Sequence, residues 1–323
     1  MTIRIIGAGV AGLTAATELA DRGYSIALFE EGSRIGEKSC SWFAGGMLAP
    51  WCERESAEEV VITRGIQALN WWPRFFKPTV MKGTLLVAAP RDVPELLRFS
   101  KRTSGYEWVD EARIAQLEPD LQGRFFKGLF FPKEGHLNPR QALPTLCQNL
   151  LDKGAEIHLN TKADPIPKDK DDVVIDCRGL YTRHDLPTIR GVRGEMLLVR
   201  THEVQLSRPV RLLHPRIPLY IVPRGEGIFM IGATMIESDY KGEGKVRSVV
   251  ELLNGAYAIH PAFGEADILE IGCDVRPAFP DNLPQVIKKS ANHYYVNGMH
   301  RHGFLLTPWL ASQLAEQIAK DRK

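Results

Sequence analysis

Apolar residues Ile3, Ile5 and Ile6 form a short run that ends in glycines at 7, 9 and 12, after which Leu13, Ala16, Leu19 and Ala20 recur at helical spacing. This pattern predicts a strand, a tight turn and a helix. Gly23 closes that helix, and Ser25 to Phe29 is a second short apolar run ending at Glu30, so residues 1 to 30 read as one βαβ unit. Further helical patterns fall around 56 to 76 and 139 to 153. Strand-like runs lie at Thr84 to Ala88, Val173 to Asp176, Glu195 to Val199, Leu219 to Val222, Ile228 to Gly232 and His293 to Val296. Thr307-Pro308 predicts the start of the last helix, an N-cap residue followed by a proline at the first helical position, with Leu310, Leu314 and Ile318 as its apolar face. Trp71, Trp72, Phe75 and Phe76 sit in a helical context and are expected to pack inward, not to form a lid or membrane patch.

Alternating strand and helix at the start, hairpin-like runs in the middle and a strand plus helix at the end predict an α/β chain with an α+β insert. The expectation is a Rossmann-like domain interrupted by an antiparallel sheet. We assign 1–55, 136–194 and 272–323 to the first and 56–135 and 195–271 to the second. The 323 residues also favour two closely joined domains over a single core. Pro165 to Asp172 reads as a charged surface loop.

A net charge of +2 with no basic block gives no reason to expect nucleic acid or an anionic membrane as partner, which leaves a small molecule. No run of about eighteen apolar residues predicts a membrane span, and the opening residues do not predict a signal peptide. Cys40, Cys52, Cys147, Cys177 and Cys273 are odd in number and widely spaced, without a C-x-x-C pair. They read as reduced thiols in a cytoplasm.

In Gly7-x-Gly9-x-x-Gly12 each glycine has a separate task. Gly7 allows the tight turn, Gly9 lets backbone amides approach a pyrophosphate, and Gly12 permits close helix packing, while the helix N-terminus offers positive potential to phosphates. Glu30 can accept the ribose hydroxyls and would repel a 2′-phosphate, so FAD or NAD is expected and NADP is not. Gly225-x-Gly227 and Gly242-x-Gly244 have hairpin-like surroundings with no helix expected after them, which argues against a second dinucleotide site.

Several segments resemble the D-amino-acid oxidase family. Ser39-Cys-Ser-Trp-Phe-Ala-Gly-Gly-Met-Leu-Ala-Pro50 looks like its flavin loop, and Gly135-His-Leu-Asn-Pro-Arg-Gln-Ala-Leu143 like its Asn-Pro-Arg helix start. Val173-Val-Ile-Asp-Cys-Arg-Gly179 is similar to its strand returning to FAD, and Val192-Arg-Gly-Glu-Met196 to its Arg-Gly-Gln strand. The segments Tyr220-Ile-Val-Pro-Arg224, Gly232-Ala-Thr-Met-Ile-Glu237, Val275-Arg-Pro-Ala-Phe-Pro-Asp-Asn-Leu-Pro284 and Gly298-Met-His-Arg-His-Gly-Phe-Leu-Leu-Thr-Pro308 are most like the glycine oxidases of thiamine biosynthesis. Met299, His300 and His302 depart from the last motif, which in the family reads Gly-His-Tyr/Phe-Arg-Asn-Gly.

The resemblance implies noncovalent FAD and oxidation of glycine or a similarly small amino acid by dioxygen, with a related sarcosine, D-amino-acid or D-proline oxidase or dehydrogenase, or a non-catalytic flavin-binding module, as alternatives, and it allows a homo-oligomer. It also implies cofactor contacts from Gly7, Gly9, Val10, Ala11, Gly12, Glu30, Glu31, Arg34, Ala44, Gly45, Gly46, Met47, Cys177, Gly179, His300, Arg301, His302, Gly303, Phe304 and Leu305. Arg276 matches the arginine that forks onto the substrate carboxylate, and Tyr220 a tyrosine that reaches the same group. Arg301 matches an arginine near the flavin and the substrate entrance. Met235 matches a pocket-wall position and is equally compatible with plain core. Surface ion pairing is the alternative for both arginines. His300 and His302 form an H-x-H pair without a third ligand of metal spacing, so no metal is expected.

Overall fold

The computed structural model describes residues 2–55, 57–169, 171–214 and 218–321. The expected loop at 165–172 and the outer domain limits therefore include positions outside the described residues. Two large sheets organise the chain. The first has six strands in the order Gln285–Ser290, His293–Asn297, Val173–Asp176, Thr2–Ile6, Ser25–Phe29, Glu156–His158. All neighbours are parallel except the first pair. Helices Val10–Asp21, Pro139–Asp152 and Gly303–Asp321 pack together on it, and Leu13, Leu19, Leu143, Leu146, Leu310 and Leu314 share one buried core with Ile3 and Ile5. This is the Rossmann-like layer.

The second sheet has nine strands, nearly all antiparallel. Its longest pair joins Arg190–Arg200 to Asp267–Ala278, with Val192 opposite Arg276 and Gly194 opposite Asp274. The expected strand at 195–199 is thus longer, and Arg276 lies inside the strand paired with it. The domain limits at 194 and 271 fall within these two strands; a division that keeps both whole places them in the antiparallel unit.

Three further expectations change. Gly242-x-Gly244 is followed by a helix after all, Val246–Ile259, which buries Leu252, Ala256 and Ile259 against the antiparallel sheet. The pattern at 56–76 becomes two helices, Glu59–Gly65 and Ala68–Phe75. The last helix begins at Gly303, so Pro308 sits inside it instead of opening it. Proline has no N–H to give the carbonyl four residues back, and that carbonyl, Phe304, instead accepts the Trp72 indole N–H at 2.7 Å. A side chain from the aromatic cluster thereby replaces the missing helical bond, and Trp72 and Phe76 are fully buried.

Candidate active site

The glycine turn is required by its surroundings. Gly7 has φ +97°, and a Cβ there would stand 2.9 Å from the Cys177 carbonyl oxygen. A Cβ on Gly12 would overlap the Gly7 carbonyl oxygen, so Gly12 lies beneath the turn and outside the cleft wall. Helix Val10–Asp21 has no side-chain cap at Gly9. Val10 N–H donates to Ser41 Oγ at 3.1 Å. The buried Glu30 carboxylate accepts Ala8 N–H and Gly32 N–H, each at 2.8 Å. Gly7, Gly9, Val10, Ala11, Glu30 and Glu31 line a cleft of about 420 Å³. Arg34 is exposed and outside that wall; Ser39 and Ser41 of the expected flavin loop are in it, as is Lys38, which the sequence did not single out.

The loop 39–47 crosses the middle of the cleft, and Ala44, Gly45, Gly46 and Met47 line it. Two arginines hold it. Arg224 donates to the carbonyls of Leu137, Ala44 and Gly45 at 2.8, 3.1 and 2.9 Å. Its burial pulls its pKa down to about 9. Arg140 forks onto Glu270 at 2.7 and 2.8 Å and donates to Trp42 O. Asn138 caps the helix that carries it. Cys177 and Gly179 close this part of the wall.

Across the loop, Tyr220 and Arg276 line the same cleft. Both have room because glycines face them: a Cβ on Gly45 or Gly232 would meet the Tyr220 ring at 2.9 or 3.0 Å, and one on Gly194 would overlap the Arg276 guanidinium. Arg276 donates to Thr234 O at 3.1 Å, and burial lowers its pKa. Arg301, His300, His302, Gly303, Phe304 and Leu305 complete this wall. Met235 is 46% exposed and outside it, with its sulfur 3.5 Å from Arg301.

Glu53 carries no motif and was missed, yet it ties the wall together. It lies 2.9 Å from Arg301, 3.1 Å from Arg211 and 3.3 Å from His302 Nδ1. Burial opposes its ionisation, but the two guanidiniums outweigh it and hold the carboxyl at about 2. Burial drives His300 and His302 the other way, to about 3 and about 4, so both imidazoles are neutral at pH 7. Among the described residues no group of three or more His, Cys, Asp or Glu could hold a metal ion, and no helix is long and apolar enough to cross a membrane. The five cysteines are free.

A family model described as FAD dependent oxidoreductase matches residues 2–317. The chain is 54% identical over 324 residues to a Rhizobium etli protein whose name places it provisionally as the thiamine biosynthesis oxidoreductase ThiO; the match covers 100% of this chain and 98% of that protein. A glycine oxidase of Geobacillus kaustophilus is 23% identical over 359 residues, covering 98% of this chain and 93% of its own. The fold matches the crystal structure of glycine oxidase from Bacillus cereus with a TM-score of 0.85 at 22% identity, over 100% of this chain and 96% of that one.

Proposed function

This chain belongs to the family of FAD-dependent oxidoreductases, and we propose that within it the enzyme oxidises the amine of glycine or a similarly small amino acid. The cleft fits the cofactor by its own features. The glycine turn, which a Cβ at Gly7 or Gly12 would obstruct, brings the N-terminus of helix Val10–Asp21 to the cleft wall, where its positive end would face a pyrophosphate. Glu30 is fixed by two backbone amides and presents its charge to the same cleft. Gly7, Gly9, Val10, Ala11 and Glu30 would hold the adenosine and pyrophosphate, and residues 44–47, 177–179 and 300–305 the remainder. Held there, FAD would supply acceptance of a hydride from the substrate Cα and reoxidation by dioxygen with release of hydrogen peroxide.

The observation that carries the substrate reading is Arg276, a half-buried guanidinium facing the cleft beside the Tyr220 phenol, with Gly194 and Gly45 clearing space for both. A guanidinium desolvated in this way is costly until an anion completes it, and its fork matches a carboxylate. Arg276 and Tyr220 together would fix the carboxylate and thereby the direction of Cα, and orientation is the protein's main contribution to such chemistry. Arg301, held by Glu53, keeps a second positive charge on the same wall. The substrate would leave as an imine. The likeness to the Rhizobium etli protein supports its use in thiazole assembly for thiamine.

The test is oxygen uptake and peroxide formation by the purified FAD enzyme with glycine, sarcosine, D-alanine and D-proline. Glycine or sarcosine should give the highest kcat/KM. Turnover with an artificial acceptor but not with dioxygen would make it a dehydrogenase, and no turnover with any amine would leave a flavin-binding module without this chemistry.

A further inference from the structure

The side of the cleft that carries Arg276 also carries a carboxylate that nothing above has used. Along Asp267–Ala278, the Cys273 and Val275 side chains share one face: Cys273 Sγ donates to Gly242 O at 3.0 Å, and Val275 packs over Gly191 while bordering the cleft. Side chains alternate along a strand, so Gly272, Asp274 and Arg276 share the opposite face. There Phe43 of the 39–47 loop packs over Gly272, and the cleft opens over the other two. Cys40 on that loop feels both Asp274 and Arg276.

We propose that Asp274 is a specificity-determining residue that takes the substrate's ammonium while Arg276 takes its carboxylate, so that the cleft recognises a zwitterion. This rests on the amino-acid reading given above. Asp274 and Arg276 carry opposite charges on one face, yet no ion pair closes one on the other, and the Arg276 guanidinium turns to Thr234 O instead. Asp274 Oδ1 accepts Val275 N–H at 2.6 Å, while its Oδ2 makes no hydrogen bond to the protein. The Arg276 guanidinium lies over Gly194, which stands directly opposite Asp274 on the paired strand, so both charged groups border one stretch of the cleft.

The surrounding charges suit the assignment. Burial raises the Asp274 pKa, and Lys241, Arg276 and Arg193, the cations nearest it, oppose that rise. Lys241 itself sits over the Tyr181 ring at 4.8 Å. A half-buried carboxylate and a half-buried guanidinium, each lacking a counter-ion at contact distance, are jointly satisfied by one ligand that bears both opposite charges. A ligand with a carboxylate alone satisfies only Arg276.

The test compares glycine with acetate, which lacks the amine. In the FAD-loaded enzyme, acetate affinity is read from the perturbation of the flavin absorbance, and glycine affinity from the concentration dependence of anaerobic flavin reduction. Asp274→Asn should weaken glycine roughly 10- to 100-fold, the range for a lost charge-assisted bond, and leave acetate within about twofold, with FAD content unchanged. Asp274→Ala should show the same selective loss and serves if the Asn variant does not accumulate. Equal loss of both ligands, or no loss of either, overturns the proposal. If glycine does not reduce the wild-type flavin, the oxidase reading fails on its own. The absorbance titration then reports glycine binding directly; a preference for glycine over acetate that Asp274→Asn removes upholds the Asp274 role, and no preference overturns it.

Discussion

The two sides of the cleft are built on opposite physical grounds. The nucleotide side is backbone: three glycines within six residues, a helix N-terminus and one carboxylate held by amides. It is spoiled by adding a methyl group. The carboxylate side is made of buried and half-buried charges brought from distant parts of the chain: Glu53, Arg211, Asp274, Arg276 and Arg301. It is spoiled by removing a charge. Two sides that fail in such different ways should be separable by mutation, one governing cofactor affinity and the other substrate use.

The sharpest separation should come from Arg276→Ala. Loss of a desolvated charged pair costs about 2–5 kcal/mol, so kcat/KM for glycine should fall roughly 30-fold to several thousandfold. Arg276→Lys should restore little, since a point charge does not copy the fork. FAD content, read from the same samples, should stay near wild type; a loss of activity only in proportion to lost FAD would break the comparison.

Glu134 tests the charged frame under the carboxylate side. Its buried carboxylate accepts Cys52 N–H at 2.8 Å, next to Glu53. Burial raises it to about 7, a rise that the Cys52 bond only partly offsets. Between the ordinary value of 4.5 and 7 the folded chain keeps a proton that the unfolded chain has released. Stability therefore falls as pH rises through that window, and the penalty is complete above pH 7. Glu134→Gln should flatten this slope and stabilise the protein at pH 8 by on the order of 3 kcal/mol at most, measured by urea unfolding across pH 4.5 to 8. An unchanged slope would place the titration elsewhere.

Trp72→Phe leaves the Phe304 carbonyl without its partner at the helix start that serves both sides. It should cost about 1–3 kcal/mol of stability in urea, and an unaltered midpoint would mean that the carbonyl finds another donor. The smallest effect is expected from Gly7→Ala, where a left-handed φ costs an ordinary residue about 1–2 kcal/mol and the methyl meets the Cys177 carbonyl. FAD should bind roughly 5- to 30-fold more weakly in a fluorescence titration, while kcat at saturating FAD stays near wild type. A fall in kcat with FAD affinity intact would reverse the comparison.

The same contrast explains what the sequence disclosed. The βαβ unit was legible because its signals are local: an apolar run, glycines at fixed spacing and a helical repeat, all within thirty residues. The strand Asp267–Ala278 was not, because its first half is half-exposed, with Ile268, Leu269 and Ile271 facing solvent at 41–48% and no clean alternation. Helix Val246–Ile259 was hidden by Asn254-Gly255, a dipeptide that signals turns; there the glycine serves packing, since a Cβ would meet Leu219 at 2.7 Å. Pro308 looked like a helix start because its substitute hydrogen bond comes from Trp72, more than two hundred residues away. Arg276 and Tyr220 were reached through motif resemblance, whereas Glu53 and Asp274 have no motif. Asp274 could have been found from its spacing, two residues before Arg276 on one strand. Arg34 and Met235 show the limit of resemblance: both stand outside the cleft wall.

The central claim is that one cleft joins an FAD site to an amino-acid site. Its most direct test is the visible spectrum of the purified protein under anaerobic glycine. The account predicts a yellow protein whose FAD is released by acid, and whose visible flavin absorbance bleaches as glycine is added. A protein that carries no FAD, or one whose flavin is reduced by dithionite but by no amino acid, would contradict it.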